Sequence, residues 1–212
     1  MGIRRSVDVI VASVAGLILL PFATAAALVT LPHPTFFLQD RIGLDGKSFK
    51  IIKFRTMRDD LSLPPAARIT RKGHWWRAYG LDELPQLFSI VKGDMSLIGP
   101  RPLSKEEDKI GQAITGDLWK KRSQITPGLI PSSLIEEKLM RLGSKKPRMR
   151  LEADLAYIQM RQEGRALKKD VKLIWAAVRV VIARRVDPQS EWVSEDGYPF
   201  SPISLQSPTV GS

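Results

Sequence analysis

The chain has 212 residues, a formal net charge of +11 and no cysteine. This length suits one domain, or one domain with a membrane element, and the lack of cysteine excludes disulfides and thiolate metal sites. Every Lys and Arg lies in residues 1–186, so this part attracts anionic lipid, phosphorylated substrates or nucleic acid. Since no nucleic-acid-binding motif is present, we expect lipid and phosphate, and no nucleic acid, as partners.

The N-terminal segment Val9–Leu31 is strongly apolar and follows Arg4 and Arg5. At ~1.5 Å per residue it is long enough to cross a hydrocarbon core of about 30 Å. The residues leave three alternatives open: a secretory signal peptide, a transmembrane helix, and a re-entrant helix that enters and leaves on one face. Pro21 removes one backbone hydrogen bond, so we expect a kink there, with Thr24 as a candidate partner for the freed backbone groups.

Two short strands are predicted next, Phe36–Ile42 and Ser48–Arg55, and the turn-rich Gly43–Lys47 between them indicates a β-hairpin. Residues 59–67 are polar, contain two prolines and are expected to form a loop. Ile69–Tyr79 interleaves tryptophans with cations, a pattern typical of the lipid headgroup zone or of a site for a nucleotide base. The same pattern also allows one tryptophan to lie in the core.

Two adjacent carboxylates, Asp82 and Glu83, stand just before Pro85 and an apolar run. The pattern predicts a helix from near Asp82 to Val91 that ends at Lys92–Gly93, with Pro85 in its first turn. A helix N-terminus attracts anions, and neighbouring carboxylates repel, so a bound cation would relieve them or one pKa would rise. From these residues alone, an acidic helix start without function is the commoner explanation. The apolar face of the helix is expected to consist of Leu84, Leu87, Phe88 and Val91.

The C-terminal half contains further local signals. Ser104 and Glu107 have the spacing of a capping box, which predicts a short helix to Ile114. The basic and aromatic run Trp119–Arg122 is a candidate for interfacial contact, and Thr126–Pro131 is expected to form a loop.

Two longer helices are predicted near the C-terminus, at Pro147–Gln162 and Ala166–Arg185. The second has apolar residues at helical spacing, a tryptophan and basic flanks. It could lie on an anionic membrane or pack in the core, and the periodicity does not distinguish these alternatives.

Cations also accompany the carboxylate pair, since Arg77 lies upstream and Arg101 follows a turn at Gly99–Pro100. Carboxylates and arginines together suit phosphoryl chemistry, in which positioning and charge neutralisation do most of the catalysis. Several ordered motifs resemble those of the bacterial sugar transferases, the monotopic phosphoglycosyl transferases, and together they cover most of residues 1–128. The motifs are Arg4–Arg5 with Asp8; Gln39, Arg41 and Gly43; Phe49–Lys50; Lys53-Phe54-Arg55-Thr56-Met57; and Leu81–Pro102.

The resemblance implies a mostly helical α/β (α+β) monotopic membrane protein at the cytoplasmic face of the bacterial inner membrane. Residues 1–34 would form a re-entrant helix broken at Pro21, with both ends cytoplasmic. Residues 35–186 would form a compact catalytic domain with a small β-hairpin and interfacial amphipathic helices, and residues 187–212 an acidic, Pro/Ser-rich tail. The residues assigned to the membrane element are Arg4, Arg5, Asp8 and Pro21.

The resemblance also implies an activity, namely transfer of a phospho-sugar from a nucleotide-diphosphate sugar, with UDP expected, to a polyprenol (undecaprenyl) phosphate. This would be the first membrane step of polysaccharide or glycoconjugate biosynthesis. Asp82 would attack the β-phosphate, Glu83 would manage a proton, and either could hold Mg²⁺. Further partners would be membrane lipids and downstream glycosyltransferases, and a homodimer is compatible with the family. The substrate- and phosphate-binding residues would be Lys53, Arg55, Arg77 and Arg101.

The chain departs from the family pattern in two places. Leu20 precedes Pro21 where the family often has Ser, which removes one partner for the freed backbone. After Pro127–Gly128, where the family usually continues Ile-Thr-Gly and an aromatic residue, the chain has Ile130, Pro131 and Ser132. The second departure supports an alternative function, a non-catalytic membrane-attached scaffold of a glycan assembly complex.

Overall fold

A computed structural model describes residues 2–30, 35–134 and 147–186. Its mixed and mostly helical architecture confirms the predicted class, while the tail at 187–212 lies outside the described residues. Three short 3-10 turns lie at Leu44–Gly46, Leu81–Glu83 and Lys121–Gln124. The elements in chain order are α1 (Ile3–Thr30), β1 (Phe36–Ile42), β2 (Ser48–Phe54), α2 (Pro65–Arg68), α3 (Arg71–Tyr79), α4 (Gln86–Lys92), β3 (Ser96–Gly99), α5 (Lys105–Thr115), α6 (Asp117–Lys120), β4 (Gly128–Pro131), α7 (Pro147–Gln162) and α8 (Leu167–Val186).

The β-hairpin forms as predicted. Strands β1 and β2 pair antiparallel, from Phe36 opposite Phe54 to Ile42 opposite Ser48. Ile51 and Phe54 of β2 are both buried, and because side chains alternate along a strand they lie on its opposite faces. Lys53 lies on the same face as Ile51, and its ammonium reaches Glu83 in the turn at Leu81–Glu83.

A second sheet differs from the loop predicted at Thr126–Pro131. Strand β4 pairs in parallel with β3, with Ser96 opposite Gly128 and Ile98 opposite Ile130. The backbones approach so closely that a Cβ on Gly128 would lie 2.0 Å from the Gly99 nitrogen. This pairing fixes the start of the loop that carries Arg101.

Trp119 corrects a second expectation, because it is core and not interfacial. The side chain is 2% exposed, and its indole Nε1 donates to Asp108 at 2.8 Å. The Arg122 guanidinium lies 4.7 Å from the ring centroid, as a cation–π pair. Gly111 of α5 has no room for a Cβ, since that atom would lie 2.1 Å from the indole.

Helix α1 continues through Pro21, so the structure does not divide it into two helices at that residue. One missing N–H interrupts one hydrogen bond of the helix ladder and leaves the neighbouring turns in place. The Thr24 hydroxyl donates to the Leu20 carbonyl at 2.9 Å, immediately before the proline. Among residues 2–30, 35–134 and 147–186, no helix combines the length and the apolar character that a bilayer crossing requires.

Three charged side chains attach the N-terminal end of α1 to the rest of the protein. Arg5 donates to the carbonyls of Ile90 at 2.5 Å and Val91 at 2.9 Å. These carbonyls lie at the C-terminal end of α4, where the helix dipole stabilises a cation. Asp8 accepts from the Ser96 hydroxyl at 2.5 Å on β3.

Arg4 completes this attachment through an ion pair with Asp170 of α8 at 2.7 Å. One helical turn beyond Asp8, Ala12 is buried in a cluster with Ile51, Ile90 and Met95. The predicted membrane residues Arg4, Arg5 and Asp8 therefore contact protein, and they place the beginning of α1 directly behind α4.

Candidate active site

The carboxylate pair lies in a 3-10 turn and not in the first turn of an α-helix as predicted. Gly80, with φ of 68°, ends α3 in the left-handed conformation that glycine tolerates, and the turn Leu81–Glu83 follows. Pro85 lacks the N–H that would donate to Leu81, so the α-helical ladder starts only at Gln86. The pair thus stands one turn ahead of α4.

Helix α4 ends as predicted, at Lys92 with Gly93 as its left-handed C-cap. Its predicted apolar face is wrong in part, because Phe88 is 63% exposed and Val91 is also exposed, whereas Leu87 packs against the buried cluster around Ile90. Instead, α1 and β2 pack against the opposite side of the helix. The buried residues of α4 are Gln86, Ser89 and Ile90.

Glu83 is held ionised by the cations around it. Lys53 Nζ donates to Glu83 Oε1 at 2.7 Å. Desolvation alone would raise the pKa of Glu83, but the Lys53 ammonium, followed by the more distant Arg101 and Arg41 guanidiniums, holds it below its usual value. A carboxylate that stays ionised in this way can form an ion pair or bind a cation, but it holds a proton only weakly.

Asp82 differs from its neighbour in both burial and charge compensation. The residue is 8% exposed. Burial, followed by the negative charge of Glu83, raises the pKa of Asp82, while Lys53 and Arg77 compensate only in part. The structure therefore holds a buried carboxylate whose charge lacks full compensation, as a nucleophile or metal ligand requires.

Three of the four predicted phosphate-binding cations gather around this pair. Lys53 contacts Glu83 directly. The positive charge of Arg77 lowers the pKa of Asp82, and that of Arg101 lowers the pKa of Glu83. Arg77 is fixed by a bond from its Nε to the Thr56 hydroxyl at 2.8 Å. The fourth, Arg55, instead pairs with Asp59, four residues later in the chain.

A cavity of about 280 Å³ opens beside Arg101. Gly43 and Gly46 of the hairpin turn line one wall, and Pro127 lines another. Arg101, Arg122 and Lys120 bring positive charge to it and Asp108 negative charge, while apolar groups form much of the rest. The cavity can take a group of moderate size that is attached to a phosphate bound at Arg101.

Magnesium fits this site only in one arrangement. Within the described ranges, no three His, Asp or Glu side chains come together to hold a metal ion. An ion held by one or two carboxylates can complete its shell with substrate phosphate oxygens and water. The uncompensated charge at Asp82, next to Glu83, matches that arrangement.

We expect Asp82→Asn and Glu83→Gln to shift the thermal unfolding temperature in opposite directions near pH 7. A raised folded-state pKa means that ionising Asp82 costs stability as pH rises, so Asn removes a penalty. A lowered folded-state pKa means that Glu83 contributes stability that is lost as pH falls, so Gln removes a benefit.

Thermal unfolding at a series of pH values tests this. The Asp82→Asn difference should shrink as pH falls towards the usual carboxyl value of 3.8, whereas the Glu83→Gln difference should persist down to about 4.5 and shrink only below that pH. Shifts of the same sign at pH 7 would mean that the two carboxylates share one environment.

Two buried ion pairs beside the site were not predicted. Arg41 Nη1 meets Glu107 Oε2 at 2.8 Å, and Arg122 Nε meets Asp154 Oδ2 at 2.7 Å. The capping box signalled Glu107 only as a helix cap, which the structure confirms. Asp154 carries no local signal in the sequence, because its partner is 32 residues away.

The chain is similar to known proteins over most of its length. The sequence model of the bacterial sugar transferase family matches residues 1–184. The UDP-glucose:undecaprenyl-phosphate glucose-1-phosphate transferase of Caulobacter vibrioides is 36% identical over 178 residues, which cover 78% of this chain and 66% of that protein. A UDP-N-acetylgalactosamine-undecaprenyl-phosphate N-acetylgalactosaminephosphotransferase of Aeromonas hydrophila is 31% identical over 85% of this chain and 44% of its own length.

A protein of similar extent is the uncharacterized sugar transferase EpsL of Bacillus subtilis, 30% identical over 85% of this chain and 86% of its own length. The Caulobacter and Aeromonas proteins extend beyond the matched region, so this chain spans about two thirds of the first and less than half of the second. The family match includes the helix α1, the hairpin, the carboxylate pair and the Arg101 loop. The chain belongs to the bacterial sugar transferase family.

Proposed function

We propose that this protein transfers a phospho-sugar from a nucleotide-diphosphate sugar, with UDP as the expected nucleotide, to undecaprenyl phosphate. The observation that carries the proposal is the buried, incompletely compensated carboxylate of Asp82 with Arg77 and Arg101 nearby. The relatives from Caulobacter and Aeromonas are named for transfers of this kind.

The reaction proceeds in two displacements at one phosphorus. A carboxylate oxygen of Asp82 bonds to the β-phosphorus, and the bond from that phosphorus to the bridging oxygen breaks, so nucleoside monophosphate leaves with the electron pair. An oxygen of undecaprenyl phosphate then bonds to the same phosphorus, and the Asp82 carboxylate leaves unchanged. Dividing the transfer in this way replaces one difficult step by two easier ones.

The cations position the diphosphate and neutralise its charge. Arg77 and Arg101 suit this role, because a planar guanidinium can hold two phosphate oxygens at once. Lys53 keeps Glu83 ionised, so Glu83 would pass on a proton from an incoming phosphate without retaining it. Mg²⁺ held by Asp82 or Glu83 would supply further neutralisation of the diphosphate charge.

The exposed apolar side of α8 supports attachment to a membrane. Leu173 of α8 packs into the core together with Ala166, which precedes the helix, so the core accounts for only one side of the helix. The other side is exposed, with Trp175 at 63%, and lysines flank it. An apolar stripe with a tryptophan and basic flanks is typical of a helix at a lipid surface. The stripe consists of Leu167, Val171, Ile174, Trp175 and Val178.

The whole-chain protein, purified in detergent, should release UMP when it is given undecaprenyl phosphate and a UDP-sugar from a panel. One or a few sugars should give UMP together with a lipid-linked sugar diphosphate. If the protein binds vesicles yet releases no UMP from any sugar, with or without Mg²⁺, the scaffold alternative is correct.

Arg101 should bind the phosphate while it is being transferred. Arg101→Lys keeps the charge but loses the planar fork, so kcat should fall by more than KM rises. Arg101→Ala should cost roughly 2–4 kcal/mol of transition-state stabilisation, the usual loss for one electrostatic stabiliser. Initial rates of UMP release measure both.

The matched control is Arg165→Ala, which removes an exposed arginine between α7 and α8. Its kinetics should equal those of the native protein. If the Arg101 variants lose thermal stability first, and activity only in proportion to the unfolded fraction, Arg101 has a structural role.

We propose that residues 1–34 enter and leave the membrane on the cytoplasmic face, with α1 bent at Pro21, where one hydrogen bond of the helix ladder is missing. Labels at Met1 and Ser212 should then both react in inside-out vesicles and stay protected in intact cells, and the N-terminus should be uncleaved. The fastening of Arg4, Arg5 and Asp8 to the catalytic domain supports this arrangement, because it keeps the start of α1 beside that domain. A C-terminus outside the cell membrane would refute it.

A further inference from the structure

The loop Gly99–Leu103, which carries Arg101 between two prolines, is held through every one of its carbonyls. Each carbonyl accepts a hydrogen bond from a different residue of the surrounding elements. The bonds are Ser132 N to Gly99 O at 2.8 Å, Gly128 N to Pro100 O at 2.9 Å, Arg122 Nη2 to Arg101 O at 3.3 Å, Arg41 Nη1 to Pro102 O at 3.4 Å and Ile42 N to Leu103 O at 2.8 Å.

The bond at Arg101 itself comes from a side chain with a buried anchor. Arg122 Nε donates to Asp154 Oδ2 at 2.7 Å, and Asp154 Oδ1 accepts from the Ser132 hydroxyl at 2.5 Å. Asp154 and Ser132 are fully buried, and Arg122 is 6% exposed. A buried ion pair of this kind often stabilises the protein little more than apolar side chains would. It does fix the orientation of the guanidinium, and so the direction of the N–H groups that are not bonded to Asp154.

Apart from the peptide after Arg101, the loop is fixed by groups other than Arg122. Pro100 and Pro102 have fixed φ angles on both sides of Arg101. Gly99 is packed against the Thr126–Gly128 backbone so closely that a Cβ there would lie 2.5 Å from a carbonyl oxygen. The peptide after Arg101 is therefore oriented chiefly by the Arg122 bond to its carbonyl.

We propose that Arg122 and Asp154 are positioning residues that direct the Arg101 side chain to the donor's diphosphate and affect the reaction only through Arg101. The inference rests on the proposed function, because it requires Arg101 to bind phosphate. Ser132 belongs to the same device, since its N–H holds Gly99 and its hydroxyl holds Asp154. The departure from the family pattern at Ser132 thus provides a support for the loop.

A double-mutant cycle tests whether the effect passes through Arg101. Arg122→Lys and the milder Ser132→Ala are made in the native chain and in Arg101→Ala, and kcat and KM for UMP release are measured. In the native chain Arg122→Lys should lower kcat about 10-fold or more, since small misplacements of a reacting group cost up to ~100-fold. In the Arg101→Ala chain both substitutions should change kcat by less than about twofold, because the group they position is gone.

Tyr157→Phe is the matched control, because Tyr157 lies on α7 together with Asp154. It removes the bond from the Tyr157 hydroxyl to Asp170 at 2.8 Å and leaves Asp154 intact. This variant should lose some thermal stability, and its kcat should be the same as that of the chain in which it is made.

The outcomes separate the two proposals. Equal losses of kcat from Arg122→Lys in both chains, or from Ser132→Ala if the Arg122 variant does not fold, would overturn the positioning role and leave the proposed function intact. An Arg101→Ala chain with native kinetics would overturn the phosphate role of Arg101 and, with it, this inference. Absence of UMP release from the native chain would overturn the proposed function itself.

Discussion

Asp82→Asn is expected to abolish turnover while the protein stays folded. The substitution preserves the size of the side chain and removes the charged oxygen that would attack phosphorus, so no covalent intermediate can form. Loss of a nucleophile lowers kcat by roughly 10⁴- to 10⁶-fold. Because burial raises the pKa of Asp82, the neutral side chain should also raise the thermal unfolding temperature near pH 7.

The measurement combines rates with mass spectrometry. After a quench in the presence of donor alone, the peptide that contains Asp82 should carry the mass of one phospho-sugar, and fragmentation should place it on Asp82 and not on Glu83. Intact-mass analysis of the variant excludes deamidation of the new Asn back to Asp. Near-native product formation by the intact Asn variant would reject Asp82 as the nucleophile.

Opposite stability changes for Asp82→Asn and Glu83→Gln, once measured, would strengthen this interpretation of the site. A residue retained for stability should destabilise the protein when its charge is removed, as we expect for Glu83 with its Lys53 partner. A residue whose charge costs stability is retained for another reason, and chemistry is the usual one.

Local signals accounted for the elements that the sequence predicted correctly. The hairpin, the capping box at Ser104 and Glu107, and the helices at 147–162 and 167–186 each depend on residues close together in the chain. The same applies to the carboxylate pair, whose neighbourhood with a proline and later arginines can be recognised in one stretch. Its exact secondary structure could not be predicted, because one missing N–H at Pro85 decides between a 3-10 turn and an α-helix.

The features that were missed depend on contacts between distant parts of the chain. Strand β4 has only four residues, follows Pro127 and ends at Pro131, and it is a strand because β3 lies beside it. Trp119 stands in a basic run and is nevertheless core, because Gly111 leaves space for the indole. The exposed Phe88 shows the converse, since α1 and β2 cover the other side of its helix.

Glu107→Gln is expected to lower the free energy of unfolding by about 3–5 kcal/mol, the usual cost of leaving one charge of a buried pair unpaired. Both side chains of the Arg41–Glu107 pair are only 5% exposed. Gln has the same size and keeps an oxygen that can accept the Ser104 N–H, which Glu107 Oε2 now accepts at 2.7 Å. The difference therefore reports the lost charge and not a lost helix cap.

Denaturant unfolding of the detergent-solubilised protein measures the change, and Asp117→Asn is its control. Asp117 and Lys120 form a pair of the same length, 2.8 Å, but both side chains are exposed, so the loss there should be much smaller. An equally small loss for Glu107→Gln would mean that water reaches Arg41. If the loss is large, replacing both partners by apolar residues, Arg41→Met with Glu107→Leu, should restore most of the stability. That double variant should still react slowly, because Arg41 would no longer hold the Pro102 carbonyl beside Arg101.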